Sequence, residues 1–444
     1  MNSQFLKRRV QHLIVAVMLS AASSVSAASG NISAKALAGN LLSGKNCIFQ
    51  DKVVDGDLDL HEEIPCKVDL KGVVFLGRLN LTDATFAKGL SIRRSLFQKH
   101  VDMRRIRVKK SFNVSDSFFT SSAEFTDGEF GDSFSIRGST FGSTLPIKFD
   151  GMTVAQSILM GNVQFNGPVD FIHVTAERNF HAEDIKVAAG PTKFNRLRIR
   201  DDVFLQRSIF TGSGKVEFQG MAIGGDLKLN GAHFENKAGM TTFAGTRVTG
   251  KLHMARVAFG ALDLSGVSYG SITAADEEAP NGDDKWGDLL EYVANAKFSG
   301  DAFKSLENYF KTAGYPERAD EVYIRFKKEQ RNTLAFPSLS WFYNWLSWAS
   351  VKFDFAFPIL LLFFWVLGTI HFKSSPMDTK KDEAVGEFSP AFYTLELLLP
   401  LSNLHATSGR TPRNRRGLLW MRSLKILGWV LVPLSFASLT RIFR

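Results

Sequence analysis

Few of the residues able to do chemistry stand at a productive spacing. None of the nine histidines belongs to an HExxH motif or to a pair at metal-ligand spacing. His173 and His181 read as surface or corner residues. The chain carries no Walker-type phosphate loop and no GxSxG nucleophile elbow. The nearest carboxylate pairs are Glu183/Asp184 and Asp201/Asp202. Adjacent strand residues point to opposite faces, so acid–base work by either pair would need a turn to bring them together. The expectation is a chain that is not an enzyme, with no catalytic residue, no metal site and no cofactor.

Three other groups remain. Cys47 and Cys66 are the only cysteines, and in an oxidising compartment they are expected to form one disulfide. Arg93, Arg94, Lys99, Arg104, Arg105, Arg107, Lys109 and Lys110 form a basic cluster. Such a belt suits anionic lipid headgroups or an acidic envelope polymer, and the plainer alternative is a solvated face. Glu396, Asn403 and His405 lie in or beside an apolar stretch near the C-terminus. An ionisable residue at membrane depth is a functional candidate.

The elements that hold these groups begin with an export signal over 1–27. Lys7, Arg8 and Arg9 precede an apolar run at 13–22, and Val25, Ser26 and Ala27 give a small-x-small cleavage pattern. Export makes nucleic acid an unexpected partner despite the net charge of +10.

Between 46 and 275 the organising feature is a period. The chain has 39 Phe against 7 Tyr and 7 Trp. From residue 70, large apolar residues come in pairs five apart: Leu70/Phe75, Leu81/Phe86, Ile92/Phe97, and on through Phe125/Phe130, Phe180/Ile185 and Phe218/Ile223. The first member recurs about every 11 residues, which is the mark of a solenoid. One inward residue on each of four faces gives coils of about 22 residues, about nine of them, in a rod of roughly 40–45 Å.

The strings DATFAKG (83–89), RGSTFGS (137–143) and NGAHFEN (230–236) resemble the pentapeptide-repeat family, with a small residue two before the inward one. Ile106, Met152, Glu183 and Leu197 depart from that pattern. The resemblance implies a right-handed parallel β-helix and leaves function open.

After an acidic linker the period becomes helical. Over 284–333, Gly314 and Pro316 mark a turn between helices, and 306–329 (LENYFKTAGYPERADEVYIRFKKE) resembles one tetratricopeptide unit. Residues 336–348, with Trp341, Trp345 and Trp348, read as an interfacial helix. The region 352–441 holds two spans, at 353–372 and about 418–440, with a short apolar piece at 388–404 broken by Pro400. This outline is similar to two-span pore-loop channels, but LPLSNLH stands where potassium channels carry a TVGYG-like filter. Lys373, Lys380, Lys381, Arg410, Arg413, Arg415 and Arg416 between the spans fit a cytoplasmic loop; Arg325, Lys327, Lys328 and Arg331 on the other flank work against it.

The sequence therefore predicts a mainly β protein: a right-handed parallel β-helix, a small α-helical unit and two transmembrane helices. It places the chain in a bacterial inner membrane with the β-helix in the periplasm. The expected function is a scaffold or sensor that touches membrane lipids and binds an envelope protein or polymer. The alternative is a component of an oligomeric channel or transporter, with 388–404 re-entrant, in a homo-oligomer.

Overall fold

The computed structural model describes residues 30–235, 239–275, 285–353, 356–379, 388–399 and 410–439. The expected signal peptide, Asn403 and His405 lie outside these residues. The chain divides into two units, 1–309 and 310–444.

The first unit is a parallel β-solenoid of eleven coils. The three major sheets are parallel throughout, each strand pairing with the equivalent strand one coil away. Phe75, Phe97, Phe119, Phe141, Phe165, Val187, Phe210, Phe234 and Phe259 fall in one register column. Two of the four faces merge into one 19-stranded sheet, because Arg247–His253 continues through both. At one strand spacing per coil the rod is about 50 Å long.

Three details differ from the sequence reading. The solenoid starts before residue 46, since Asn31–Ser33 already pairs in parallel with Val53–Asp55. That strand and the added early coils bring the total to eleven rather than nine. Each face also buries two side chains, not one: Val73 with Phe75, Leu79 with Leu81, Ala84 with Phe86 and Leu90 with Ile92 are all 2% exposed or less. Finally, Phe180 and Ile185 are the first members of such pairs, and their partners Ala182 and Val187 stand in register with the preceding coil. The small-residue position of this coil is therefore not Glu183, which lies on the outer surface with its carboxylate 2.9 Å from His181.

Phenylalanine fills this interior because flat rings stack at the coil pitch. Phe125, Phe149, Phe171, Phe194, Phe218 and Phe243 form one ladder with centroids 4.3–5.3 Å apart. The neighbouring column meets it edge-on: Phe141 and Phe165 lie at 86° and 80° to Phe149. Stacking runs along the rod and T-shaped contacts run across it, which suits the ring quadrupole in both directions.

Both ends of the stack are covered. Helix α1 (Ala34–Ser43) starts at Ser33, whose hydroxyl accepts the Ala36 N–H at 3.2 Å, and stops at left-handed Gly44. It buries Ala34, Leu37 and Leu41 against the first coils. The Cys47–Cys66 disulfide staples the same end. At the other end lie α2 (Trp286–Asn295) and the first turns of α3 (Gly300–Thr312). Tyr292 donates to the Val257 carbonyl at 3.1 Å, Lys297 meets Asp263 at 3.2 Å, and Ser305 donates to the Val267 carbonyl at 3.3 Å.

The second unit contains α4 (Pro316–Asn332), α5 (Leu339–Lys352), α6 (Ala356–Ser374), α7 (Pro390–Leu398) and α8 (Arg415–Leu439). Gly314, in the left-handed region at φ 83°, ends α3, and Pro316 opens α4. Helix α5 runs four residues beyond the predicted interfacial segment. Helices α6 and α8 are long and apolar enough to cross a membrane. Many of their exposed residues are apolar, among them Ile359, Leu362, Phe363, Ile370, Ile426 and Trp429, while Lys373, Arg415, Arg416, Arg422 and Lys425 are also exposed, toward the helix ends that face each other along the chain.

Phe149 is 0% exposed with rings above and below. Phe149→Ala should cost about 3–5 kcal/mol. Exposed Leu145→Ala should stay within about 0.5 kcal/mol. Urea unfolding followed by circular dichroism checks this; equal costs at the two sites would contradict ring stacking as the source of rod stability.

Candidate functional site

The basic cluster does not form a free positive belt. Its members are spread around the coil, and most are paired with carboxylates. Arg93 donates to both oxygens of Asp69 at 2.9 Å. Arg105 makes a two-pronged contact with Asp83 at 2.8 Å for each nitrogen. Arg104 reaches Asp102 at 2.6 Å, Arg107 reaches Glu129 at 3.5 Å, and Lys109 reaches Glu63 at 2.9 Å. The Arg93, Arg105, Arg107 and Lys109 pairs join different coils, so these charges brace the stack. Arg94 sits at a corner with φ 51°.

Two members, Arg93 and Lys110, do line a groove, together with Lys67 and Lys88, which the cluster as first drawn omits. Its volume is about 430 Å³. Leu90 pairs with Phe112 and with Val68, so Lys88 and Lys110 hold the same position on consecutive coils, and Lys67 is one residue displaced on the coil before. At one strand spacing per coil, the backbones of Lys88 and Lys110 stand roughly 5 Å apart, with Lys67 on the coil before. All three are exposed, and none makes an ion pair among the described residues. Asp132 takes the next position along, where it accepts the Ser111 hydroxyl at 2.7 Å, and closes the lysine file. The floor is polar, built by Ser91 and Asn113, and it leaves Arg93 Nε and Asn113 Oδ1 without partners. The groove therefore offers four cations against the two carboxylates of Asp69 and Asp132, with one spare donor and one spare acceptor. The signal that finds Lys67 and Lys88 in the sequence is the coil period applied to lysines: the steps are 21 and 22 residues.

The carboxylate pairs serve the fold. Asp184 holds Arg207 at 2.8 and 2.9 Å, and Asp202 accepts the Asp226 backbone N–H at 2.7 Å. His173 lies at a corner with φ 59° beside Arg196, and His181 stacks on Phe204 at 4.5 Å. No cluster of three metal-ligating side chains occurs among the described residues.

In the second unit, Glu396 is 8% exposed on α7. It sits beside Tyr393, Leu397 and Leu398, which pack with Phe372 of α6 and Leu424 of α8. Helix α7 comes this close because of two glycines. A Cβ at Gly368 would meet the Thr394 side chain at 2.5 Å, and one at Gly428 would strike the Leu398 backbone. Helix α7 is thus packed against both long helices, and Glu396 is buried with it.

Comparison with protein-family models, curated proteins and solved structures gives no match for this chain.

The ion pairs on the rod's surface make it acid-sensitive. The Arg105 guanidinium holds the Asp83 carboxyl below its ordinary range. Burial pushes Asp102 upward, but hydrogen bonds from the Arg104 side chain and backbone outweigh it and the net shift is down. A lowered folded value means stability that is present above the ordinary carboxylate pKa and lost as pH falls through the lowered one. The thermal midpoint should therefore drop below about pH 4. Arg105→Gln should make that drop shallower. An identical acid profile in the variant would count against the pairing.

Proposed function

We propose that this chain is a membrane-anchored β-solenoid scaffold or sensor whose rod binds an anionic ligand of the bacterial envelope. The observation that carries this reading is the file of Lys67, Lys88 and Lys110, which line one groove and make no ion pair, while Arg93, Arg105, Arg107 and Lys109 nearby are matched to carboxylates. A row of ammonium groups over a polar floor suits a partner with repeated negative charge and gives it orientation as well as attraction. In this reading the rod is a degenerate pentapeptide-repeat helix exported by the signal at 1–27. It lies in the periplasm, and α6 and α8 tether it to the inner membrane. The apolar, outward-facing residues of α6 and α8 support the tether.

The test uses the full chain in nanodiscs and a fluorescent polyanion, dextran sulfate, with neutral dextran as control. Wild type should bind the polyanion alone, and less tightly as salt rises. The triple variant Lys67→Glu, Lys88→Glu, Lys110→Glu should weaken binding at least about tenfold, a loss of roughly 1.4 kcal/mol. Arg104→Glu, outside the groove, should change it little. Equal binding by wild type and the triple variant would remove the groove as the contact surface.

A second reading, a component of an oligomeric channel or transporter, draws on the buried Glu396 between two apolar helices. Its measure is ion flux through protein in liposomes. Flux altered by Glu396→Gln favours the channel. Absence of flux from folded protein leaves α6 to α8 as an anchor.

A further inference from the structure

Where α4 meets α5, a second set of polar groups lacks partners, and it is unrelated to the groove. Asn344 and Trp348 are four residues apart on α5 and so share a face. The Asn344 side-chain N–H donates to Gln330 on α4 at 2.8 Å, which places Arg331 beside them. The Arg331 guanidinium lies 4.9 Å from the Trp348 ring centroid, and the Lys352 ammonium lies 4.8 Å from it. One indole thus gathers two cations. Trp348 Nε1 and Arg331 Nη1 are both shut off from solvent and donate to nothing among the described residues. Asn344, only 3% exposed, has its Oδ1 in the same condition as an acceptor. A buried donor left unmade costs about 1–3 kcal/mol, more for a charged group. Three orphans around one ring, beside two positive charges, mark a place for a ligand that brings an anionic acceptor and a donor next to it.

The position says which ligand. Helix α5 exposes Leu339, Phe342 and Tyr343, at 85%, 46% and 69%. Lys352 ends α5, and α6 begins at Ala356. If α6 spans the bilayer, this cluster lies where hydrocarbon gives way to headgroups, the depth at which tryptophan and basic side chains concentrate.

We infer that Arg331, Trp348 and Lys352 form a binding site for the phosphate of a glycerophospholipid. The phosphodiester accepts from Arg331 Nη1, Trp348 Nε1 and the Lys352 ammonium. The headgroup's ammonium or hydroxyl donates to Asn344 Oδ1. Charge-assisted hydrogen bonds of this kind are the strong ones, and the indole keeps both cations in place.

Native mass spectrometry tests this on the full chain released from nanodiscs of phosphatidylglycerol and phosphatidylethanolamine. Wild type should retain phospholipid. The double variant Arg331→Gln, Lys352→Gln should retain about tenfold less. Trp348→Phe, which keeps the ring and loses the N–H, should fall in between. Lys352→Arg should retain the wild-type level and so control for misfolding. Undiminished retention in the double variant overturns the inference. Displacement of the lipid by excess inorganic phosphate also overturns it, because it would show a simple anion site.

Discussion

Everything in the first unit depends on coil-upon-coil stacking. A single coil of this chain cannot bury its apolar side chains or pair its backbone groups; both are completed only by the coil above and below. The Phe125-to-Phe243 ladder, with rings 4.3–5.3 Å apart, shows the requirement most directly. The first and last coils would otherwise present open rungs, which are templates for unwanted strand pairing. Helix α1 covers one end and α2 with the start of α3 the other. The same constraint explains the corners. Asp83, Arg105, Asp127 and Gly151 follow one another in the left-handed region. Asp127 reaches into the space that a Cβ on Gly151 would fill, so glycine lets the side chain fold back over that corner.

Charge on the rod follows from the same repeat. Residues one coil apart are neighbours, so an Arg over an Asp becomes an intercoil brace, as with Arg105 on Asp83 and Arg207 on Asp184. Exposed pairs of this kind contribute little each. Their larger effect is to cancel the field that a string of basic residues would otherwise project. The lysine file at 67, 88 and 110 stands out against that background, because the register brings like charges together and none of the three makes an ion pair, Asp69 beside them being held by Arg93.

In the second unit, close approach decides the arrangement. Gly368 and Gly428 let α7 lie against α6 and α8 at a distance no larger residue would permit. Glu396 is carried into that packing along with Tyr393 and Leu397. Near the end of α5 the helices instead leave buried donors and an acceptor unpaired around Trp348.

How much of this was legible in the sequence can be said residue by residue. The pairs five apart declared a four-faced parallel solenoid, because only a coiled strand path buries residues at that spacing. The lengths of the apolar runs at 353–372 and 418–440 declared two helices able to cross a bilayer. Cys47 and Cys66, having no other partner, declared their bond. Register was not legible. One inserted residue between Val187 and Thr192 moves the phase, and apolar Phe180 and Ile185 fit either of two inward positions, so only the strand pairing distinguishes them. The meaning of the basic cluster was not legible either, since Asp69, Asp83 and Glu63 lie 22 to 46 residues from the cations they meet. Sequence order specifies the local pattern of burial. Which charges cancel, which stay open and whether Glu396 is wet or buried depend on contacts between residues distant in the chain, and those exist only once the coils and helices have packed.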